Sequence, residues 1–142
     1  VILPDVNVLV YAFKAESPNH EQYADWLNAV VLGSEQLALV DTVLAGLVRV
    51  VTNGRVFDSP APTDQALQFV HQLITAPRAT WLPAGPIVWQ TMQRLAEADP
   101  LIAANKVPDA FLAALALSHG ARIATEDRGF ARYPKLRFFA PV

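Results

Sequence analysis

Three aspartates carry the chemistry that this chain offers. Asp5 ends the apolar run Val1-Ile2-Leu3 and is followed, past Asn7, by a second apolar run, Val8 to Ala12; Asp109 and Asp127 stand in comparably apolar settings. A strand that ends at a carboxylate and turns into a helix is how open α/β sheets build ligand sites, because the carboxyl ends of parallel strands form a crevice where the strand order reverses. Three aspartates gathered at one such crevice repel one another unless a cation lies between them. An all-oxygen donor set of this kind suits hard Mg²⁺ or Mn²⁺. Taken singly, each residue has an ordinary explanation. Asp5 can cap a helix, Asp127 can serve a turn, and a helix N-terminus stabilises an anion such as Asp109 by up to about 1 kcal/mol. It is the three together that point to a metal site.

The elements that must position them alternate between strand and helix. Val1 to Leu3 reads as a first strand, and Val6 to Lys14 as a helix beginning just beyond Asp5. A second helix, about His20 to Leu32, places Tyr23, Trp26, Leu27 and Val30 on one face and stops at Gly33. Leu37 to Val40 is a short buried strand, Asp41-Thr42 opens a helix through Val51, and Arg55 to Pro62 is a surface loop. Thr63 to Thr75 repeats Ala66, Leu67, Val70, Leu73 and Ile74 as an amphipathic face. A third strand, Ala79 to Leu82, precedes a helix over Ile87 to Ala98 with Pro86 at its start. Pro108 begins a helix to His119-Gly120 whose body, Ala110 to Leu117, is apolar all round, so it is expected to be buried. Arg122 to Thr125 and Leu136 to Phe139 complete five strands. The pattern predicts an α/β fold, a mainly parallel sheet with helices on both faces, in one domain spanning residues 1–142.

Composition narrows the function. Eleven basic against thirteen acidic residues give a net charge of −2, which argues against a protein that coats nucleic acid through bulk charge, so any nucleic-acid contact is local. There is no cysteine, which excludes disulfides and thiolate zinc sites. Hydrophobic residues reach 53% with only 17% charged, richer in apolar side chains than an average soluble domain, so a face is expected to be left for a partner. The wide apolar faces of the helices at His20–Leu32 and Thr63–Thr75 are the expected place for it. Pro4, Asp5 and Asn7 interrupt the apolar start, which reads as a strand and not a signal peptide. No apolar run approaches the roughly 18 residues of a membrane span, and a soluble, cytoplasmic protein is expected.

Arg122, Arg128, Arg132, Lys135 and Arg137 cluster late in the chain. Beside an acidic pocket such residues can hold phosphates, and Arg128 and Arg132, which flank Asp127, are the best placed. His20, His71 and His119 lack ligand spacing. Trp26, Trp81 and Trp89 read as core or partner-facing groups, with nothing in their positions to favour base stacking.

The segments Leu3-Pro4-Asp5-Val6-Asn7-Val8-Leu9, Val107-Pro108-Asp109-Ala110 and Ala124-Thr125-Glu126-Asp127-Arg128-Gly129-Phe130 together resemble the PIN domain, in particular the VapC-like toxins of bacterial toxin–antitoxin pairs. Each motif is short, but three in order at these spacings are fairly specific, and the resemblance extends through Asp41-Thr42-Val43-Leu44 to Asn53. It implies a three-layer fold and a Mg²⁺- or Mn²⁺-dependent endoribonuclease, usually dimeric and held inactive by a VapB-like antitoxin. By position it implies Asp5, Asp109 and Asp127 as the catalytic, metal-holding acids, with Asn7 and Thr125 as polar neighbours. A metal-bound water would attack the phosphodiester, without any side-chain nucleophile.

One departure stands out. PIN domains commonly carry a fourth acid, a glutamate, on the helix after the second strand, which by register falls near Gly46 here, a residue with no side chain. Asp41 is a substitute on the expected sheet edge, or else an N-cap of its helix; Glu126 is a further candidate, less well placed than Asp127. Two other readings compete. A haloacid-dehalogenase-like phosphatase needs a second aspartate where the chain has Asn7, and a non-catalytic PIN-like module that binds RNA or protein would tolerate the missing glutamate.

Overall fold

The computed structural model describes residues 1–142. β1 (Ile2–Pro4) is the middle strand of five, in the order β3-β2-β1-β4-β5, with β2 at Leu37–Leu39, β3 at Ala79–Trp81, β4 at Arg122–Ala124 and β5 at Phe138–Phe139. Every pairing is parallel. All three residues of β1 are buried, as are those of β2, which is what a central parallel strand covered on both faces requires. The strand is displaced by one residue from the span its apolar run predicts, because Pro4 completes it opposite Ala124. Pro4 has no N–H to donate. The register with β2 is the single pair Ile2↔Leu37, whereas that with β4 runs over three pairs.

Six helices connect these strands: α1 (Val6–Phe13), α2 (His20–Leu32), α3 (Asp41–Val51), α4 (Thr63–Ile74), α5 (Pro86–Ala98) and α6 (Val107–His119). The chain moves from β1 through β2 to β3 in one direction, then returns across the sheet to β4. With right-handed crossovers this places α1 to α4 on one face and α5 and α6 on the other, and the packing agrees, with α1 against α2 and α3, α3 against α4, and α5 against α6. The three-layer α/β expectation therefore holds.

The core joins both layers in one cluster of 29 buried residues. α6 contributes most, with Ala110 and Leu112 through Ala116 all buried, and its alanines allow close approach to the sheet. Gly120, at φ 65°, ends it in the left-handed conformation that glycine adopts without penalty. Lys14 is buried at the end of α1; its ammonium donates to the Ser59 carbonyl at 2.6 Å, pairs with Glu16 and lies over the Phe57 ring. That contact pins the loop between α3 and α4 to the body of the protein. No helix is long and apolar enough to cross a membrane.

Candidate functional site

The strand order reverses at β1 and β4, so their carboxyl ends flank the crevice where α/β sheets place ligands. Asp5 follows β1 directly. Its backbone N–H still donates to Ala124 of β4, at 2.9 Å, while its carboxylate caps α1 by accepting the Val6 N–H at 2.7 Å. The other carboxylate oxygen accepts the Thr125 hydroxyl at 2.9 Å. Thr125, buried just past β4, also receives the Asp127 N–H on its own oxygen at 3.0 Å. One hydroxyl thus ties the end of β1 to the turn after β4. Asp127 caps the 3₁₀ turn Arg128–Arg132, accepting the Gly129 N–H at 2.7 Å.

Asp109 approaches from the first turn of α6 and, with Asp5, lines a small cleft of about 90 Å³ completed by Val6, Thr42, Val43, Pro108 and Leu112. Asp127 is exposed and does not line the cleft, but it is near enough for its charge to act on both other acids. Burial raises the Asp5 pKa above the ordinary carboxylate value; the bonds from Thr125 and Val6 pull it back, and Asp127 pushes it up again. Asp109 is raised by burial, then by the charges of Asp5 and Asp127, with Lys106 opposing. Beyond burial, Asp5 is therefore harder to ionise because Asp127 is near, and Asp109 because both other acids are. The three do not stand at the mutual spacing of a ready-made three-ligand cage.

The remaining expected residues divide. Asn7 is exposed in the first turn of α1, and its side chain makes no hydrogen bond within the chain. Arg128 is exposed beside Asp127 without an ion-pair partner, whereas Arg132 is engaged with Asp99 at 3.3 Å, joining the 3₁₀ turn to the end of α5. The late basic residues do not form one patch. Arg122 pairs with Glu35 at 2.6 Å and Arg137 donates to the Gly120 carbonyl, both at the amino end of the sheet, away from the acids. Proximity in sequence failed there because β4 carries the chain from one edge of the sheet to the other.

Asp41 is the first residue of α3, exposed, and makes no capping bond; the helix starts from Val40 without a side-chain cap. It is Thr42 that faces the acidic cleft. Gly46 lies where α3 crosses α1: a Cβ there would come 3.1 Å from the Val6 Cγ2, so a side chain would fit only if Val6 moved. Glu126 turns its charge toward the Tyr23 hydroxyl, whose pKa is raised by burial first and by Glu126 next. Sequence reasoning missed Thr42, Pro108 and Lys106; the only signal for them was their position beside the strand-end and helix-start aspartates.

The PIN domain family model matches residues 2–136. The chain is 44% identical over 138 residues to the VapC ribonuclease Mb2897 of Mycobacterium bovis, covering 97% of this chain and 93% of that protein. It is 31% identical over 142 residues to ribonuclease VapC31 of Mycobacterium tuberculosis, covering 99% of each. Among solved structures, the VapBC2 complex of Rickettsia felis bound to a promoter DNA fragment superposes with a TM-score of 0.71 at 20% identity over 98% of this chain and 97% of that one. The VapBC-1 complex of nontypeable Haemophilus influenzae gives 0.69 at 19%, over 99% and 97%. At those identities the structural likeness speaks for the fold.

Proposed function

The chain belongs to the PIN domain family, and from that premise we propose that it is a metal-dependent endoribonuclease of the VapC kind, cutting RNA phosphodiesters at the cleft between Asp5 and Asp109. The observation that carries the reading is the meeting of these two carboxylates in one cleft, with the charge of Asp127 near enough to act on both. The ribonuclease names of relatives that align along nearly their whole length support the same activity.

The donor set fits a hard cation. Mg²⁺ is commonly held by one or two carboxylates, completed by waters and substrate phosphate, so Asp5 and Asp109 are sufficient donors without a closed cage, and Asp127 adds a third negative charge. When bound, Mg²⁺ or Mn²⁺ would lower the pKa of a water and offset charge on the attacked phosphate. The chain's own residues do the positioning. Thr125 fixes one Asp5 oxygen and the Val6 N–H the other, leaving each oxygen further acceptor capacity for a cation. Lys106 and Arg128 supply positive charge for the phosphates on either side, and Arg132 can join them by leaving Asp99.

As a VapC-like nuclease the chain would work in the cytoplasm as a homodimer, restrained by a VapB-like antitoxin. The neighbouring structures that carry both components support that partner. The test is incubation of the purified chain with RNA in Mg²⁺, Mn²⁺ or EDTA, followed by sequencing of the new ends. Discrete internal cuts that need the divalent ion are expected. RNA that is bound but never cut would make the chain a non-catalytic PIN module.

A further inference from the structure

Beside the acidic cleft lies a second, apolar one of about 410 Å³, lined by Thr42, Trp89, Met92, Val107, Pro108 and Phe111. Two of these residues, Thr42 and Pro108, also line the acidic cleft, so the two cavities adjoin. The acidic one, at about 90 Å³, has room for an ion and a phosphate oxygen but not for a nucleobase. The apolar one has the room. Its wall contains no charged side chain, and Trp89, 59% exposed, presents an aromatic surface braced by Phe111, ring centroids 5.2 Å apart. Large aromatic groups are usually withdrawn from water unless something covers them.

Resting on the ribonuclease reading, we propose that this cleft seats the base of a nucleotide adjoining the scissile phosphodiester, with Trp89 as its stacking face. Single-stranded RNA is recognised by splaying its bases onto aromatic side chains. A phosphate held beside the acids across a divalent cation places its neighbouring base within reach of the adjoining cavity, which accepts a neutral ring and rejects a phosphate. The only strong side-chain hydrogen-bonding groups in the wall are the Thr42 hydroxyl and the Trp89 indole N–H, so stacking dominates over reading of base edges. A second copy of the chain is the less favoured occupant, because the cleft adjoins the acidic one through Thr42 and Pro108, where a substrate nucleotide would lie.

The experiment measures tryptophan fluorescence of the full chain in metal-free buffer. It is titrated with a short oligoadenylate and with an abasic ribose-phosphate of the same length. Oligoadenylate should quench and bind about ten-fold more tightly than the abasic strand. With affinity read from the anisotropy of end-labelled strands, which does not depend on Trp89 as reporter, Trp89→Ala should abolish that difference and Trp89→Phe should keep most of it, so the phenylalanine variant guards against loss through misfolding. In parallel, cleavage substrates with one abasic position beside the cut should react about ten-fold more slowly with the wild type, but not with Trp89→Ala. Equal binding of the two strands by the wild type, or a base preference that survives in Trp89→Ala, would overturn the proposal. So would a Trp89→Ala change that converts dimer to monomer in sedimentation with base preference intact, which assigns the cleft to a second copy. Base-dependent quenching by a chain that cuts no RNA would leave the stacking site standing and remove the nuclease reading instead.

Discussion

Asp5 ends a strand, caps a helix and holds negative charge in a half-buried cleft, and these tasks conflict. Its capping bond and the Thr125 hydroxyl favour the carboxylate, while burial and Asp127 oppose it. Asp109 has no such bonds, and all its acidic neighbours push the same way. In the metal-free chain a raised folded-state pKa means that the native state binds more protons than the unfolded one between the ordinary carboxylate value and the folded value. Stability then falls as pH rises through that window, and the deficit is fully present at neutral pH. Asp109→Asn should therefore melt above the wild type at pH 7 in EDTA, by about 2–4 °C for each kcal/mol relieved. The gap should close below about pH 4, where both carboxyl groups are protonated in either state; a thermal melt series across pH checks this. Thr125 offers a second test at this scale. Thr125→Ala should lower metal-dependent cleavage by about 10–100-fold, as loss of an outer partner of a metal ligand does, while Thr125→Ser, which keeps the hydroxyl, should recover most of it in single-turnover assays.

At the scale of elements, the turn after β4 shows why spacing in sequence singled out the acids while Thr125 was named only through resemblance, without its bond to Asp5. The aspartates were legible because they interrupt apolar runs at a strand end or a helix start. The bond from Thr125 to Asp5 joins residues 120 positions apart, and only the parallel pairing of β1 with β4 creates it. Asp41 was misleading for a related reason: an aspartate before a helix suggests a cap, yet the backbone already turns at Val40, so Asp41 falls inside the helix and Thr42 reaches the cleft. Gly129 is a constraint the sequence did not disclose. A Cβ there would stand 2.9 Å from an Asp127 carboxylate oxygen, so a side chain at this position would make that carboxylate shift. Gly129→Ala should displace Asp127 and lower cleavage by up to about 100-fold, the cost of a misplacement near 1 Å. Global stability should change little, and paired kinetic and melting measurements separate the two effects.

For the whole molecule, periodicity and strand-end signals were enough to predict a five-stranded, mainly parallel sheet between helical layers, because short, doubly buried strands leave continuous apolar runs. Strand order was not legible, since nothing local says that the chain returns to pair β4 with β1. Nor was the free apolar surface. The expected partner face on α2 and α4 is partly spent internally: Tyr23, Leu27, Ala66 and Leu73 are buried, leaving Leu32, Leu67 and Ile74 exposed, while Ile87, Trp89 and Leu101 lie open elsewhere. A VapB-like partner should still form a tight complex. Expression of the chain alone should arrest growth, co-expression with the adjacent small open reading frame should restore it, and the two products should co-purify. The central claim, that Asp5 and Asp109 together hold the ion on which RNA cleavage depends, is tested most directly by Mn²⁺ titration of the wild type, Asp5→Asn and Asp109→Asn, with single-turnover RNA cleavage measured on the same samples. Each folded variant should lose Mn²⁺ affinity and cleavage together, by at least about 10-fold; a variant that binds Mn²⁺ and cuts RNA as the wild type does would mean that the ion is held elsewhere.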